Sequence, residues 1–128
     1  MDIRIKRVYE KPDPGDGTRI LVDRLWPRGL SKEAAKIDYW ALTVSPSNEL
    51  RKWYGHDPAK WVEFQRRYAA ELDEQAGEVA ILRKRIEQGP ATFLYGSTEK
   101  ELNNAHALKL YLKNLENLTK LQHADDVL

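Results

Sequence analysis

The chain has 128 residues, with 21 Lys plus Arg against 20 Asp plus Glu and no cysteine. That length suits one domain with a real core. The balanced charge supplies no global field to draw in nucleic acid or an anionic membrane, and the missing thiols exclude disulfides, thiolate catalysis and thiolate metal sites.

The opening MDIRIKRVYE carries charge where a signal peptide needs an apolar run of about 7 to 15 residues. No later stretch approaches the ~20 apolar residues of a membrane span, so a cytoplasmic protein without membrane contact is expected. Ile3, Ile5 and Val8 interleave with Arg4, Lys6 and Arg7, which predicts a first strand exposed on one face or lying at a sheet edge. The loop KPDPGDG, Lys11 to Gly17, is too short for the crossover of a dozen or so residues that joins neighbouring parallel strands. The first strand therefore pairs antiparallel with the second or lies elsewhere in the sheet.

ILVDRLWPRG, Ile20 to Gly29, begins as a buried, β-branched strand and turns abruptly to Asp23, Arg24, Trp26 and Arg28. A core strand ending in charge is a site candidate, because α/β sheets bind ligands outside the carboxyl ends of their strands and guanidinium forks match carboxylate or phosphate. The same residues can also form an ion pair that closes the sheet edge. Ser31 then caps a short helix to Ile37, and Tyr39, Trp40 and Leu42 supply apolar anchors for the core.

In SPSNEL, Ser45 and Ser47 compete as helix caps, Pro46 suits a first helical position, and the helix runs to Tyr54 before Gly55 stops it. His56 falls on the tight connection that follows. Asp57-Pro58 opens another helix, whose Trp61, Phe64, Tyr68 and Leu72 make an inward stripe. His56 and Asp57 have the types of an acid/base pair, although capping uses Asp57 more simply. A third helix, Gly77 to Gln88, turns Val79, Leu82 and Ile86 inward and ends at Gly89-Pro90.

ATFLYGS, Ala91 to Ser97, is a second buried strand, expected to pair parallel with Ile20 to Leu25 through a right-handed helical crossover. Parallel pairing brings Tyr95, Ser97 and Thr98 beside Asp23, Arg24 and Trp26. Thr98 and Glu101 have capping-box spacing, predicting a helix from Glu99 to about Leu118 with Leu108, Tyr111, Leu112 and Leu115 toward the sheet. His106 reads as a packing histidine, and the residues from Lys120 as a frayed polar end.

Three stretches, VDRLWPRGLSK (Val22 to Lys32), SPSNELRKWYGHDPAKW (Ser45 to Trp61) and FLYGSTEKELNNAHALKLYL (Phe93 to Leu112), together resemble the YeaO-like branch of the domain-of-unknown-function family 488. The resemblance covers most of the chain, from about Ile3 to Leu115, and implies a fold without an established activity. It also implies that the first turn of the last helix often carries Cys followed by His and Arg. This chain has Asn103, Asn104 and Ala105 there. An amide is neither nucleophilic nor titratable, but it still hydrogen-bonds a ligand or a base edge.

The expected fold is α/β: a small, partly parallel sheet of about three strands flanked by about five helices. A single domain is expected over residues 1–118, with a polar tail at 119–128. The pocket expected at the ends of strands 20–25 and 91–97 draws on Asp23, Arg24, Trp26, Arg28, His56, Tyr95, Ser97, Asn103 and Asn104. In the favoured reading it binds an anionic small molecule, with or without catalysis, while Arg24 and Arg28 grip the anion and depress the pKa of Asp23.

Two other readings compete. A nucleic-acid module would use Lys6, Arg7, Arg24, Arg28, Lys32, Arg51 and Lys52 with Trp26 or Trp53 stacking on a base, and a protein-interaction module would use exposed aromatics. No cofactor is expected. His56, His106 and His123 lack metal-ligand spacing, and no glycine-rich loop has the strand-to-helix setting of a phosphate cradle.

Overall fold

The computed structural model describes the backbone of residues 1–127 and the side chains of residues 1–121. Strands β1 (Ile3–Arg7), β2 (Thr18–Leu21), β3 (Tyr39–Trp40) and β4 (Ala91–Tyr95) form one sheet in the order β1-β4-β2-β3. All the pairings in it are parallel. The sheet is α/β as expected, with one strand more than the sequence suggested. The added strand, β3, is too short to show alternation, and it is held beside β2 by Asp38 N–H to Arg19 O at 2.8 Å and Ala41 N–H to Leu21 O at 2.9 Å.

β1 takes the second of its two expected placements, at the edge and parallel to β4. Because β4 lies between β1 and β2, the short loop does not have to make a neighbour-to-neighbour parallel crossover. That loop closes at Gly17, with φ 63, where an added Cβ would stand 2.1 Å from Pro90 O. Only glycine permits the backbone of β2 to start this close to β4.

The period-two pattern of the strands sorts the core into two layers. Ile20, Val22, Phe93 and Tyr95 join the larger cluster, beneath helices that contribute Leu50, Phe64, Leu72, Leu82, Leu108 and Leu112. Leu21 and Leu94 face the other side with Val8, against Trp26, Leu30, Ile37 and Trp40. Near the amino ends of the strands that second face is polar. Asp16 accepts from Arg19 and Lys6, and Thr92 donates to Asp16 O at 2.7 Å.

Five helices flank the sheet: α1 (Lys32–Ala35), α2 (Asn48–Tyr54), α3 (Trp61–Asp73), α4 (Ala76–Ile86) and α5 (Asn104–Val127). Ser31 caps α1, which stops short of Ile37 because Lys36 turns left-handed at φ 48. Ser47 caps α2 through Leu50 N–H at 3.1 Å, whereas Ser45 is buried and donates to Ala41 O. Pro46 thus precedes the cap and does not open the helix. Asp57 caps a single 3-10 turn, Pro58–Lys60, that leads into α3. Leu42 is exposed and anchors nothing.

The last helix departs most from expectation. Glu99 accepts the amides of Glu101 and Leu102 at 3.0 Å, and α5 begins only where Asn103 Oδ1 accepts from His106 N–H at 3.2 Å. The Thr98–Glu101 box therefore does not form. At its other end α5 passes the predicted stop near Leu118 and continues to Val127, since no Gly or Pro intervenes. Of the expected tail, Leu128 lies outside the described residues.

Candidate functional site

Parallel pairing of β2 with β4 puts Leu21 opposite Leu94, so the segments after both strands emerge side by side. Chain leaving β2 carries Asp23 and Arg24; chain leaving β4 turns through Gly96 and Ser97 toward the start of α5. The end of α2 closes the third side. Between them lies a cavity of about 370 Å³ lined by Asp23, Arg24, Leu25, Pro46, Arg51, Lys52, Tyr54, Gly55, His56, Phe64, Ser97, Asn103 and Asn104. Its position outside the carboxyl ends of the strands is the usual one for a ligand site in an open α/β sheet.

Asp23 ties the three segments together. Its Oδ2 accepts the Gly96 amide at 2.7 Å and its Oδ1 accepts from Asn104 Nδ2 at 3.0 Å, while the same Asn104 nitrogen reaches Val22 O at 2.6 Å. Burial raises the pKa of the Asp23 carboxyl above its ordinary value, more than the bonds from Asn104 and Gly96 and the charges of His56 and Arg51 lower it. The expected depression by Arg24 and Arg28 does not occur. Arg24 instead donates to Pro46 O at 3.0 Å and Ser45 O at 2.9 Å, which commits its guanidinium to neutral carbonyls.

The sequence-derived candidates divide. Asp23, Arg24, His56, Ser97, Asn103 and Asn104 line the cavity. Trp26, Arg28 and Tyr95 do not: the Trp26 indole donates to Leu30 O at 2.7 Å and meets Trp40 edge-on on the opposite face. Arg28 is exposed, offering only its carbonyl to Tyr9. Tyr95 is packed in the large core cluster. The physical reason is alternation and turning: Tyr95 ends its strand facing the helices, and the chain after Leu25 turns away from the sheet.

Cations of the mouth come from α2, whose exposed Arg51 and Lys52 line the cavity. As pocket residues they were missed, although their place just ahead of the Gly55 stop was a usable signal. His56 stands on the rim with φ 56, an uncommon left-handed conformation for a non-glycine residue. Its ring meets Tyr54 edge-on at 5.9 Å. Burial raises the Tyr54 pKa, helped by the charges of Glu99 and Asp57, and the hydroxyl donates to Leu102 O at 2.6 Å. That bond clamps α2 to the loop before α5.

Asn103 is buried, its Nδ2 donating to Glu99 O at 2.8 Å while its Oδ1 caps α5. Asn104 lies on the cavity wall. Neither amide can attack or titrate. Among the described residues no three acidic or histidine side chains converge to hold a metal ion, and no helix is long and apolar enough to cross a membrane.

Comparison with known proteins places this architecture. The family model described as "Inactive DUF488-N3 subclade" matches residues 2–126. The chain belongs to the DUF488 family. Within that family it is 38% identical to the uncharacterized protein YeaO of Escherichia coli K12 over 115 residues, which cover 90% of this chain and all of YeaO. An uncharacterized protein of Mycobacterium tuberculosis H37Rv is 49% identical over 82 residues, 64% of this chain and 69% of that relative. No solved structure matches. The YeaO-like assignment made from three stretches thus extends over nearly the whole chain.

Proposed function

We propose that this DUF488 protein binds a small molecule carrying an anionic group in the cavity at the strand ends, and does so without turning it over. The observation that carries this reading is the mouth of the cavity, where Arg51, Lys52 and His56 stand together and no carboxylate accompanies them among the lining residues except Asp23. A volume of about 370 Å³ suits a metabolite-sized ligand. Tyr54, Phe64, Leu25 and Pro46 add apolar wall. Binding without chemistry is favoured by the family description as an inactive subclade and by the amides of Asn103 and Asn104 at the helix start.

The arrangement gives a nucleic-acid patch less support. Lys6 is held by Asp16 and Lys11 O, Arg7 by Gly96 O and Ser97 O, and Arg24 by two carbonyls. Trp53 is covered by the cationic ends of Arg67 and Lys60, at 4.1 and 5.1 Å from its ring. The test is calorimetric titration with inorganic phosphate and short alkyl phosphates at low salt. The double variant Arg51→Ala/Lys52→Ala should fold normally, because both residues are exposed, and should bind at least about tenfold more weakly, a gap that narrows as salt is added. Equal affinity of variant and parent would remove the proposed site.

A further inference from the structure

Resting on the anion-binding reading, one feature of the cavity floor specifies more about the ligand. Asp23 is a partly buried carboxylate that lines the cavity, yet among the described residues no cation stands in ion-pair contact with it. The neighbouring guanidinium, Arg24, turns its Nε and Nη2 to Pro46 O and Ser45 O and makes no ion pair with Asp23 among the described residues. The two bonds Asp23 does make, one from Gly96 N–H and one from Asn104 Nδ2, use one acceptor position on each oxygen and bring no positive charge. A carboxylate has roughly four such positions, so each oxygen retains capacity for a further donor.

An anion reaching this floor would meet a like charge in a setting where water screens little. A ligand with an amine or amidine would instead supply the missing counter-charge through charge-assisted hydrogen bonds. Arg51 and Lys52 are exposed, Asp23 is partly buried, and the buried Tyr54 and Phe64 add apolar wall, so one cavity carries both signs of charge and an apolar surface. We infer that the cavity takes a zwitterionic small molecule, its amine or amidine nitrogen on Asp23, its anionic group at Arg51 and Lys52, and a hydrocarbon or aromatic spacer between. Asp23 is then a specificity residue, one that selects for N–H donors and against ligands that are only anionic.

The probes are aminoalkyl phosphates of graded chain length and the matching alkyl phosphates without the amine, titrated into the intact protein. The parent should bind at least one aminoalkyl phosphate about tenfold or more tighter than its amine-free counterpart, the size expected for a hydrogen bond between charged groups. Asp23→Asn should erase that preference, while Arg51→Ala/Lys52→Ala should weaken both series. Parent protein that binds both series equally overturns the inference and leaves the anion site standing. Parent protein that binds neither overturns both. Since this comparison is between ligands on the unaltered chain, it decides the matter even if Asp23→Asn fails to fold.

Discussion

Two aspartates flanking β2, Asp16 before it and Asp23 after it, are pushed in opposite directions by their surroundings. For Asp16, burial alone would raise the pKa, but the Asp13 amide and the side chains of Arg19 and Lys6 hold it below the ordinary value. Its stabilising contribution is present above the unfolded-state pKa and is lost as pH falls through the depressed folded value. Asp16→Asn leaves Arg19, also buried, without its carboxylate. Breaking such a pair one-sidedly costs about 3 to 5 kcal/mol. The deficit, measured by urea unfolding, should be full near neutral pH and shrink in acid; a constant deficit would mean the charge is not what matters. Asp23 carries the reverse sign. Its folded pKa is raised by burial, so ionising it lowers stability as pH climbs through the carboxylate range. Relative to the parent, Asp23→Asn should therefore improve as pH rises from about 4 toward 7, whatever its offset from disturbing Gly96 and Asn104. A gap that widens instead would show a cation at Asp23 after all.

At the scale of elements, junctions matter more than interiors. The start of α5 rests on Asn103, which caps the helix and holds Glu99 O, so Asn103→Ala should cost on the order of 1 kcal/mol for the cap plus the loosened turn. Asn103→Asp, which keeps a cap acceptor, should recover most of the loss in thermal unfolding. If Ala and Asp were equally damaging, the buried amide nitrogen would be the dominant partner. The start of β2 depends on Gly17 in a different way. Gly17→Ala must adopt a left-handed φ of 63 and drive a methyl against Pro90 O. Backbone strain alone costs about 1 to 3 kcal/mol, and the Pro90 contact adds to it, so a fall in melting temperature larger than that of Asn103→Ala is expected. These two positions separate chain conformation from side-chain bonding as the source of a junction's stability.

For the whole molecule, the sheet is a partition with a thick apolar layer on one side and a thinner, partly polar layer on the other. Leu108, fully buried on α5 in the thick layer, should lose about 2 to 5 kcal/mol on truncation to Ala. Because the cavity is framed by segments that this layer positions, ligand affinity at a temperature well below melting should change little. A large affinity loss in folded Leu108→Ala would mean that the cavity's shape depends on α5 as a lever.

The amino-acid sequence by itself determined the α/β class, both core strands with their parallel pairing, the stops at Gly55 and the stripe Phe64, Tyr68, Leu72, because alternation, helical periodicity and glycine punctuation are local properties. It also singled out the ends of those strands, since a buried run that breaks into charge is visible along one dimension. Tertiary structure alone decided which charges face the cavity. Arg24 and Arg28 looked like a pair only by proximity in sequence; one is bonded to carbonyls of a segment some twenty residues on and the other faces solvent. Arg51 and Lys52 became its cations because α2 packs across the strand ends. The sign of the Asp23 shift was equally invisible in the chain order, as burial is set by every segment around a group and not by its neighbours in sequence. β3 and the late start of α5 were decided in the same way: partners distant in sequence, Arg19 and Leu21 for β3 and Val22 and Asp23 for Asn104, supplied the hydrogen bonds that local propensity could not.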